Sequence, residues 1–139
     1  MNVVVIDGQG GHLGAGLVKE ILEKFPKIRL TAIGINAIAT SAMLKAGAPR
    51  GATGENSVSV CCRSADVIIG PVGIVIADSM LGEVTPKIAL SVARSSAVRI
   101  LIPMNKCENL VAGVGNMNMA ALIGDAVSKL EALFSAVED

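Results

Sequence analysis

The sequence predicts a single α/β domain of the Rossmann-like class, in which a doubly wound parallel sheet lies between two layers of helices. Short runs rich in Val and Ile alternate with segments whose apolar residues recur at helical spacing, as in consecutive βαβ units. The first run passes directly into a glycine-rich loop. No linker, repeat or low-complexity tract divides the 139 residues, so we expect one domain over residues 1–139, with strand order 3-2-1-4-5.

The first two strands and helices are predicted from apolar runs and from the residues that end them. Residues 3–6 are apolar and β-branched, as a strand buried on both faces requires. Residues 13–25 carry apolar side chains at helical spacing, and a proline follows them. A second strand is predicted over residues 29–35 and a second helix over residues 37–46, which Gly47 ends.

The middle of the chain has weaker patterns. Residues 48–56 form a loop dense in Gly, Pro and Thr, and the alternating segment 57–61 is predicted to be the third strand. The fourth strand is predicted over residues 66–70. Residues 73–81 fit a helix or a strand, because their Ile-Val-Ile run favours β structure whereas their crossover position favours a helix; we expect a helix.

The last third of the chain begins with a helix over residues 85–94, where Thr and Pro fit the N-cap and the first helical position. The fifth strand is predicted over residues 98–103, and a short extra strand over residues 110–114. The final helix, residues 119–137, has the most regular apolar stripe of the chain.

Composition excludes several classes of partner. Twelve basic and twelve acidic residues give a net charge of zero, so no global field attracts nucleic acid or an anionic membrane. The two aromatic residues, Phe25 and Phe134, cannot build stacking platforms for bases. The longest apolar run, residues 67–77, is shorter than the ~20 residues of a membrane span. The mean hydropathy of +0.62 is high for a small chain and indicates apolar surface covered in a homo-oligomer.

The three cysteines have no disulfide spacing pattern and no export signal is recognised, so we expect a cytoplasmic protein. Adjacent Cys61 and Cys62 would point to opposite faces of a strand, and no metal site is expected. Small buried hydrophobes are the favoured interpretation. Cys62 beside Arg63, and Cys107 beside Lys106, are candidate thiolates because neighbouring cations lower the pKa of a thiol.

The glycine-rich loop after the first strand is the candidate binding site. Its glycines permit a tight turn and let an anion approach the free amides of the following helix. The spacing is close to the dinucleotide fingerprint, with the third glycine one place late, at Gly14. Ligands of a doubly wound sheet bind where the winding reverses, beside the ends of strands one and four. The predicted ligand- or cofactor-binding residues are Gly8, Gln9, Gly10, Gly11, Gly14, Asn36, Gly70 and Gly73.

The ligand of this loop stays open. An NAD site usually has Asp or Glu at the end of the second strand, where this chain has Asn36, which can still bond a ribose hydroxyl. A phosphate-binding P-loop is disfavoured because no Gly-Lys-Ser or Gly-Lys-Thr follows the turn. The cofactor is therefore unknown, with NAD(P) and other nucleotides as candidates. Glycines that only permit a tight turn are the alternative.

Two residues are candidate catalytic groups. His12, the single histidine, lies beside the loop and could exchange a proton near neutral pH; the alternative is an ordinary loop residue at a helix start. Asp78 follows an apolar stretch, where burial would favour its protonated form; the alternative is a cap or an ion-paired carboxylate. The polar residues 53–56 could fold over the site as a lid, although turn chemistry explains them equally well.

Four segments of the chain resemble a bacterial family known only as a domain of unknown function. They are DGQGG at residues 7–11, NAIATSAM at 36–43, ATGEN at 52–56 and GPVGIVIADS at 70–79. The resemblance spans nearly the whole chain. It implies a bacterial cytoplasmic protein and assigns no catalytic residue; His12 and Ala15 stand where that family is expected to carry Gly and Lys.

Three functions therefore stay open. The first is a protein that binds a nucleotide or another anionic small molecule, with residues 8–14 on the phosphate and Asn36 near the ribose. The second is a small enzyme that uses His12 or Asp78 as acid or base. The third is a structural or interaction subunit whose glycine loop is merely a turn.

Overall fold

The computed structural model describes residues 1–104 and 109–138. Its strands are β1 (Asn2–Asp7), β2 (Arg29–Gly34), β3 (Gly51–Thr53), β4 (Val67–Pro71) and β5 (Val98–Ile102). Its α-helices are α1 (His12–Lys24), α2 (Ala37–Lys45), α3 (Glu55–Ser64), α4 (Pro86–Arg94) and α5 (Met119–Glu138). The five strands form one parallel sheet in the order β3-β2-β1-β4-β5, which confirms the predicted α/β Rossmann-like topology.

β1 lies at the centre of the sheet, and its side chains alternate between two cores. Val3 and Val5 pack with buried residues of α1, α2 and α5 on one face. Val4 and Ile6 pack with buried residues of α3 and α4 on the other. Because helices cover both faces, every side chain of the strand from Val3 onward is buried, which explains the apolar run over residues 3–6.

The third strand was predicted in the wrong place. β3 has three residues and ends at Thr53, whereas residues 57–61 belong to α3. Val58 and Cys62, four residues apart, are the buried side chains of this helix, and Val60 between them is 47% exposed. The alternation of Ser and Val in this segment therefore reflects a narrow helical stripe and not the two faces of a strand.

The helix predicted over residues 73–81 does not form. Val72–Val75 make one 3₁₀ turn, and the chain continues as a compact loop, here called the 76–84 loop. β-branched residues lose side-chain freedom in a helix, which is consistent with the early end of the turn. Asp78, Met80 and Leu81 in this loop all have positive φ angles, of 66°, 57° and 58°.

The short strand predicted over residues 110–114 is also absent. This segment contains a turn at residues 112 and 113, and Gly113 has a φ of 83°. Leu110 at its start is 93% exposed. The segment therefore follows β5 without adding to the sheet.

The ends of α4 agree with the prediction. Thr85 is the N-cap, and its Oγ1 accepts a hydrogen bond of 3.1 Å from the backbone N–H of Ile88. Pro86 occupies the first helical position and Arg94 the last turn. Of the helices described, none is long and apolar enough to cross a membrane.

Candidate functional site

Asp7 ends β1 and holds the glycine-rich loop from inside. Its side chain is 3% exposed, and its Oδ1 accepts a hydrogen bond of 2.8 Å from the N–H of Gly8. Its Oδ2 accepts one of 2.7 Å from the N–H of Gly14, in the first turn of α1. The carboxylate therefore satisfies a backbone donor at the head of the helix, where a bound anion was expected.

Several effects of opposite direction act on the pKa of Asp7, and burial is the largest of them. Burial raises the pKa of its carboxyl above the ordinary value, while the hydrogen bonds from Gly14 and Gly8 act in the opposite direction. Nearby Glu83 adds to the rise because a second carboxylate disfavours the charged form. Sequence reasoning missed Asp7 as a site residue, although an acid that closes a buried apolar strand directly before the glycines was a visible signal.

Two glycines of the loop are explained by close packing. Gly11 has a φ of 75°, and a Cβ there would lie 2.7 Å from Cα of Ala39 in α2. A Cβ on Gly14 would lie 2.6 Å from Sδ of Met43, also in α2. These positions allow the start of α1 to approach α2 closely, so glycine is needed there with or without a ligand.

Some backbone donors of the loop stay available. The N–H groups of Gly10, His12 and Leu13 donate to no acceptor within residues 1–104 and 109–138. His12 and Leu13 are the first two residues of α1, where backbone N–H groups have no partner inside the helix. These three amides are donors of the predicted anion site that Asp7 leaves available.

The mouth of the loop is occupied by Glu83 of the 76–84 loop. Its Oε1 accepts a hydrogen bond of 2.9 Å from the N–H of Gln9 and one of 2.7 Å from Nδ2 of Asn36. A Cβ on Gly8 would lie 2.7 Å from the same oxygen, so the glycine permits this approach. The loop thus already binds a carboxylate of its own chain.

Asn36 lies at the end of β2, where it was predicted, and its amide is bound on both sides. Its Oδ1 accepts a hydrogen bond of 2.8 Å from the N–H of Ala39 and caps α2. Its Nδ2 donates to Glu83 and, at 3.0 Å, to the carbonyl of Gln9. Asn36 therefore joins β2, the glycine-rich loop and the 76–84 loop.

The 76–84 loop is closed on itself at its base. The N–H of Asp78 donates to the carbonyl of Val84 at 2.7 Å, and the N–H of Val84 donates back to the carbonyl of Ser79 at 3.2 Å. Ser79 is fully buried and its Oγ donates to the carbonyl of Gly73 at 2.5 Å. Met80 is 4% exposed and fills the space beside Gly8. The loop is therefore a compact unit that presents Glu83 to the glycine-rich loop.

The two candidate catalytic residues, His12 and Asp78, lie at the surface. His12 and Asp78 are both exposed, and no hydrogen bond or ion pair joins their side chains within the described part of the chain. The prediction that Asp78 is buried is wrong. Its backbone is left-handed, with a φ of 66°, and its side chain is exposed although an apolar stretch precedes it. The buried acid of the site is Asp7.

Gly70, within β4, and Gly73, just after it, lie at the predicted edge of the sheet and have packing roles. A Cβ on Gly70 would lie 2.4 Å from the carbonyl oxygen of Ile6, so the strands allow no side chain there. Gly73 is buried and its carbonyl accepts the hydrogen bond from Ser79. These contacts hold β1, β4 and the 76–84 loop together.

The predicted lid forms part of two regular elements. Thr53 ends β3, and its Oγ1 lies 2.7 Å from Oγ1 of Thr40. Glu55 is the first residue of α3, and its Oε2 accepts a hydrogen bond of 2.6 Å from Oγ1 of Thr85. Residues 53–56 are therefore fixed to neighbouring elements.

The cysteine interpretation needs correction in one respect. Cys61 and Cys62 lie on α3 and not on a strand, and Cys62 is 2% exposed, as expected of a small buried hydrophobe. Burial raises the pKa of the Cys62 thiol to about 11, so its candidacy as a thiolate beside Arg63 is wrong. Cys107 and Lys106 lie outside the described residues. Within residues 1–104 and 109–138, no group of three His, Cys, Asp or Glu residues is placed to hold a metal ion.

Comparison with known families confirms the resemblance to a family of unknown function. The model of the family described as Domain of unknown function (DUF3842) matches residues 2–135. The chain belongs to this family. No curated protein and no solved structure matches it.

Proposed function

We propose that the protein binds an anionic small molecule, a nucleotide or phosphorylated metabolite, at the glycine-rich loop. The observation that carries this proposal is the carboxylate of Glu83, held by the N–H of Gln9 and the amide of Asn36. Two converging donors around an anionic oxygen are what a phosphate or carboxylate ligand requires. In the first of two roles open to it, Glu83 stands in for the anion of a ligand and leaves when the ligand binds.

The position of the loop in the sheet supports the same proposal. Asp7 lies beside Gly34 of β2, and the winding of the sheet reverses between β1 and β4. Crevices at such reversals are the usual ligand sites of doubly wound folds. The amides of Gly10, His12 and Leu13, which have no acceptor in the part of the chain that the structure describes, supply further donors at the same edge. A sensor or binding subunit fits this arrangement, and the absence of an ordered acid–base pair among the described residues gives the enzyme alternative no support.

Glu83 also offers a second way to bind a nucleotide. Through Asn36, its carboxylate lies at the end of β2, where many dinucleotide sites place an acid that accepts a hydrogen bond from a ribose hydroxyl. If Glu83 has this role, it stays in place when the ligand binds. The two roles predict opposite effects of its removal.

The test is calorimetry and thermal shift on the wild type and Glu83→Ala, with AMP, ATP, NAD⁺, NADP⁺ and inorganic pyrophosphate as probes. If Glu83 is displaced, the variant binds about tenfold more tightly, since a charge-assisted hydrogen bond of about 1.5 kcal/mol no longer competes. If Glu83 holds a ribose, the variant binds the four nucleotides more weakly, whereas its affinity for pyrophosphate is unchanged. Glu20→Ala, on the exposed face of α1, is the control.

Ligand binding to the native state should raise the melting temperature of at least one of the two proteins. Flat responses at millimolar concentrations of every probe, in the wild type and in Glu83→Ala alike, would contradict the proposal. The glycines would then serve only the turn and the packing of α1 against α2.

We also infer a homo-oligomer, and a bacterial cytoplasmic setting from the family resemblance. Large apolar side chains support the oligomer: Leu81 is 99% exposed, Leu110 is 93% exposed and Val98, on the edge strand β5, is 48% exposed. Isolated apolar residues are common on surfaces, but the segment from Leu110 to Met119 carries several of them. Light scattering checks this inference, and a monomer at all concentrations would contradict it.

A further inference from the structure

A cleft between α3 and α4 lies on the face of the sheet opposite α1 and α5. Its volume is about 540 Å³, within the range of small-molecule sites. Both helices begin near the carboxyl ends of the strands and run back, so the Arg63–Arg94 end of the cleft lies at the edge opposite the glycine-rich loop. The residues that line it are Ser59, Cys62, Arg63, Lys87, Leu90, Ser91, Arg94, Ser95 and Ser96.

The charge of this cleft is of one sign. Arg63, Lys87 and Arg94 line it, and its lining includes no carboxylate. The sequence has no Asp or Glu from residue 84 to residue 107, although the whole chain is neutral. Positive charge is therefore concentrated in the cleft, where it attracts an anion locally.

Ion pairs leave most of this charge available. Nζ of Lys87 lies 3.9 Å from Oε1 of Glu55, and both side chains are well exposed, so the pair is weak. Arg63 and Arg94 form no salt bridge with any residue in the described ranges. Two guanidinium groups with free donors are suited to bind the oxygens of a phosphate.

Helix dipoles explain only part of the pattern. Arg63 and Arg94 stand in the last turns of α3 and α4, where a cation is favourable. Lys87 is the second residue of α4, where a cation is unfavourable. A cation at each end of the same cleft is better accounted for by a ligand that spans it.

The cleft also has fixed walls and neutral donors. Oγ of Ser95 donates to the carbonyl of Cys62 at 2.7 Å and accepts from the N–H of Ala97 at 3.1 Å, which ties the end of α4 to α3. Ser59 of α3 and Ser91 of α4 line the cleft with hydroxyl groups. Leu90, which is 48% exposed, adds an apolar surface to it. Such a mixture of charged, hydroxyl and apolar groups is typical of a small-molecule site.

We propose that the α3–α4 cleft is a second binding site, for a small molecule that carries one or more phosphate groups. Arg63 and Arg94 bind the phosphate oxygens at one end, and Lys87 binds a second anionic group at the other. This site is independent of the glycine-rich loop. Its Arg63–Arg94 end lies at the opposite edge of the sheet, and its donors are cationic side chains instead of backbone amides.

The test is a titration of the protein with inorganic phosphate and pyrophosphate, followed by the NMR shifts of backbone amides. We expect shifts in residues 59–63 and 87–96. Pyrophosphate should bind more tightly than phosphate, because it reaches more of the cations. Arg63→Ala/Arg94→Ala should weaken binding by tenfold or more, as loss of charge-assisted hydrogen bonds predicts. Both arginines are exposed, so the variant should fold.

Lys19→Ala/Lys45→Ala, which removes the same charge from exposed positions of α1 and α2, is the matched control. It should leave the affinity within twofold of the wild type. Equal weakening in the two double variants would mean that phosphate responds only to net charge, and would overturn the proposal. Shifts confined to residues 8–14 would overturn it as well, while supporting the site at the glycine-rich loop.

Discussion

The glycine-rich loop and the α3–α4 cleft are opposite kinds of anion site. The loop has the recognisable sequence pattern, yet the carboxylates of Asp7 and Glu83 already occupy three of its amides. The cleft has no sequence pattern, yet its cations are exposed and its lining holds no acid. A glycine fingerprint therefore locates a turn with converging donors, and the charges around it decide whether the donors are free.

Substitutions in the glycine-rich loop should affect stability more than substitutions in the α3–α4 cleft, and the largest loss is expected for Gly11→Ala. The new Cβ would meet Cα of Ala39 at 2.7 Å, and the residue would keep a φ of 75°. Steric overlap with backbone and the left-handed conformation together should lower the free energy of unfolding by about 2–5 kcal/mol. Denaturant unfolding measures this.

Gly124→Ala in α5 is the control for that variant, because a Cβ there has open space around it. It should stabilise the protein by about 0.5–1 kcal/mol. Arg63→Ala in the cleft should change the stability by less than about 0.5 kcal/mol. A Gly11→Ala protein as stable as the wild type would show that the loop can shift away from α2.

An intermediate effect is expected for Asp7→Ala. The N–H groups of Gly8 and Gly14 would lose their acceptor, which should cost about 1–3 kcal/mol of unfolding free energy. Glu23→Ala, on the exposed side of α1, should be nearly neutral. Equal unfolding curves for the two variants would contradict the structural role assigned to Asp7.

The raised pKa of Asp7 also gives a direction for the dependence of stability on pH. Its folded-state pKa lies above the unfolded value, so its contribution is fully present below about pH 3.9 and is lost as the pH rises through the folded pKa. Asp7→Asn removes this contribution. The difference in unfolding free energy between wild type and Asp7→Asn should therefore shift in favour of the wild type as the pH falls through that range.

The smallest effect is expected in the 76–84 loop. Leu81 is 99% exposed with a φ of 58°, a conformation that glycine adopts without strain. Leu81→Gly should stabilise the protein by about 0.5–1 kcal/mol, as measured by denaturant unfolding. Destabilisation by the same amount would mean that the Leu81 side chain has a partner, as the proposed oligomer would provide.

The sheet order could be predicted from sequence because it follows from apolar runs and helical stripes. Each of these patterns is formed by many residues, so no single position decides it. The site could be predicted only in outline. Residues 8–14 and Asn36 were located correctly beside the end of β1, since topology fixes which loops meet. Glu83 was missed because its place depends on the left-handed residues of the 76–84 loop, 47 positions from Asn36. Local patterns carry no information about such a contact.

The third strand was misplaced for a related reason. β3 is only three residues long and is defined by its pairing with β2, so no periodicity can form within it. Its neighbour α3 has two buried side chains, Val58 and Cys62, and too few apolar positions to show a clear helical stripe. Edge elements with small buried faces are therefore the least predictable part of this fold.

The alternation of side chains along β1 has one more consequence. Asp7 continues the series of Val3 and Val5 and therefore points to the layer that contains α1. There its carboxylate accepts the hydrogen bond from the N–H of Gly14. An insertion or deletion of a single residue within β1 would reverse this phase and turn Asp7 towards α3 and α4. The number of residues in β1 sets the face of the sheet to which Asp7 points. This number, together with the chemistry of Asp7, thus decides whether α1 can start where it does.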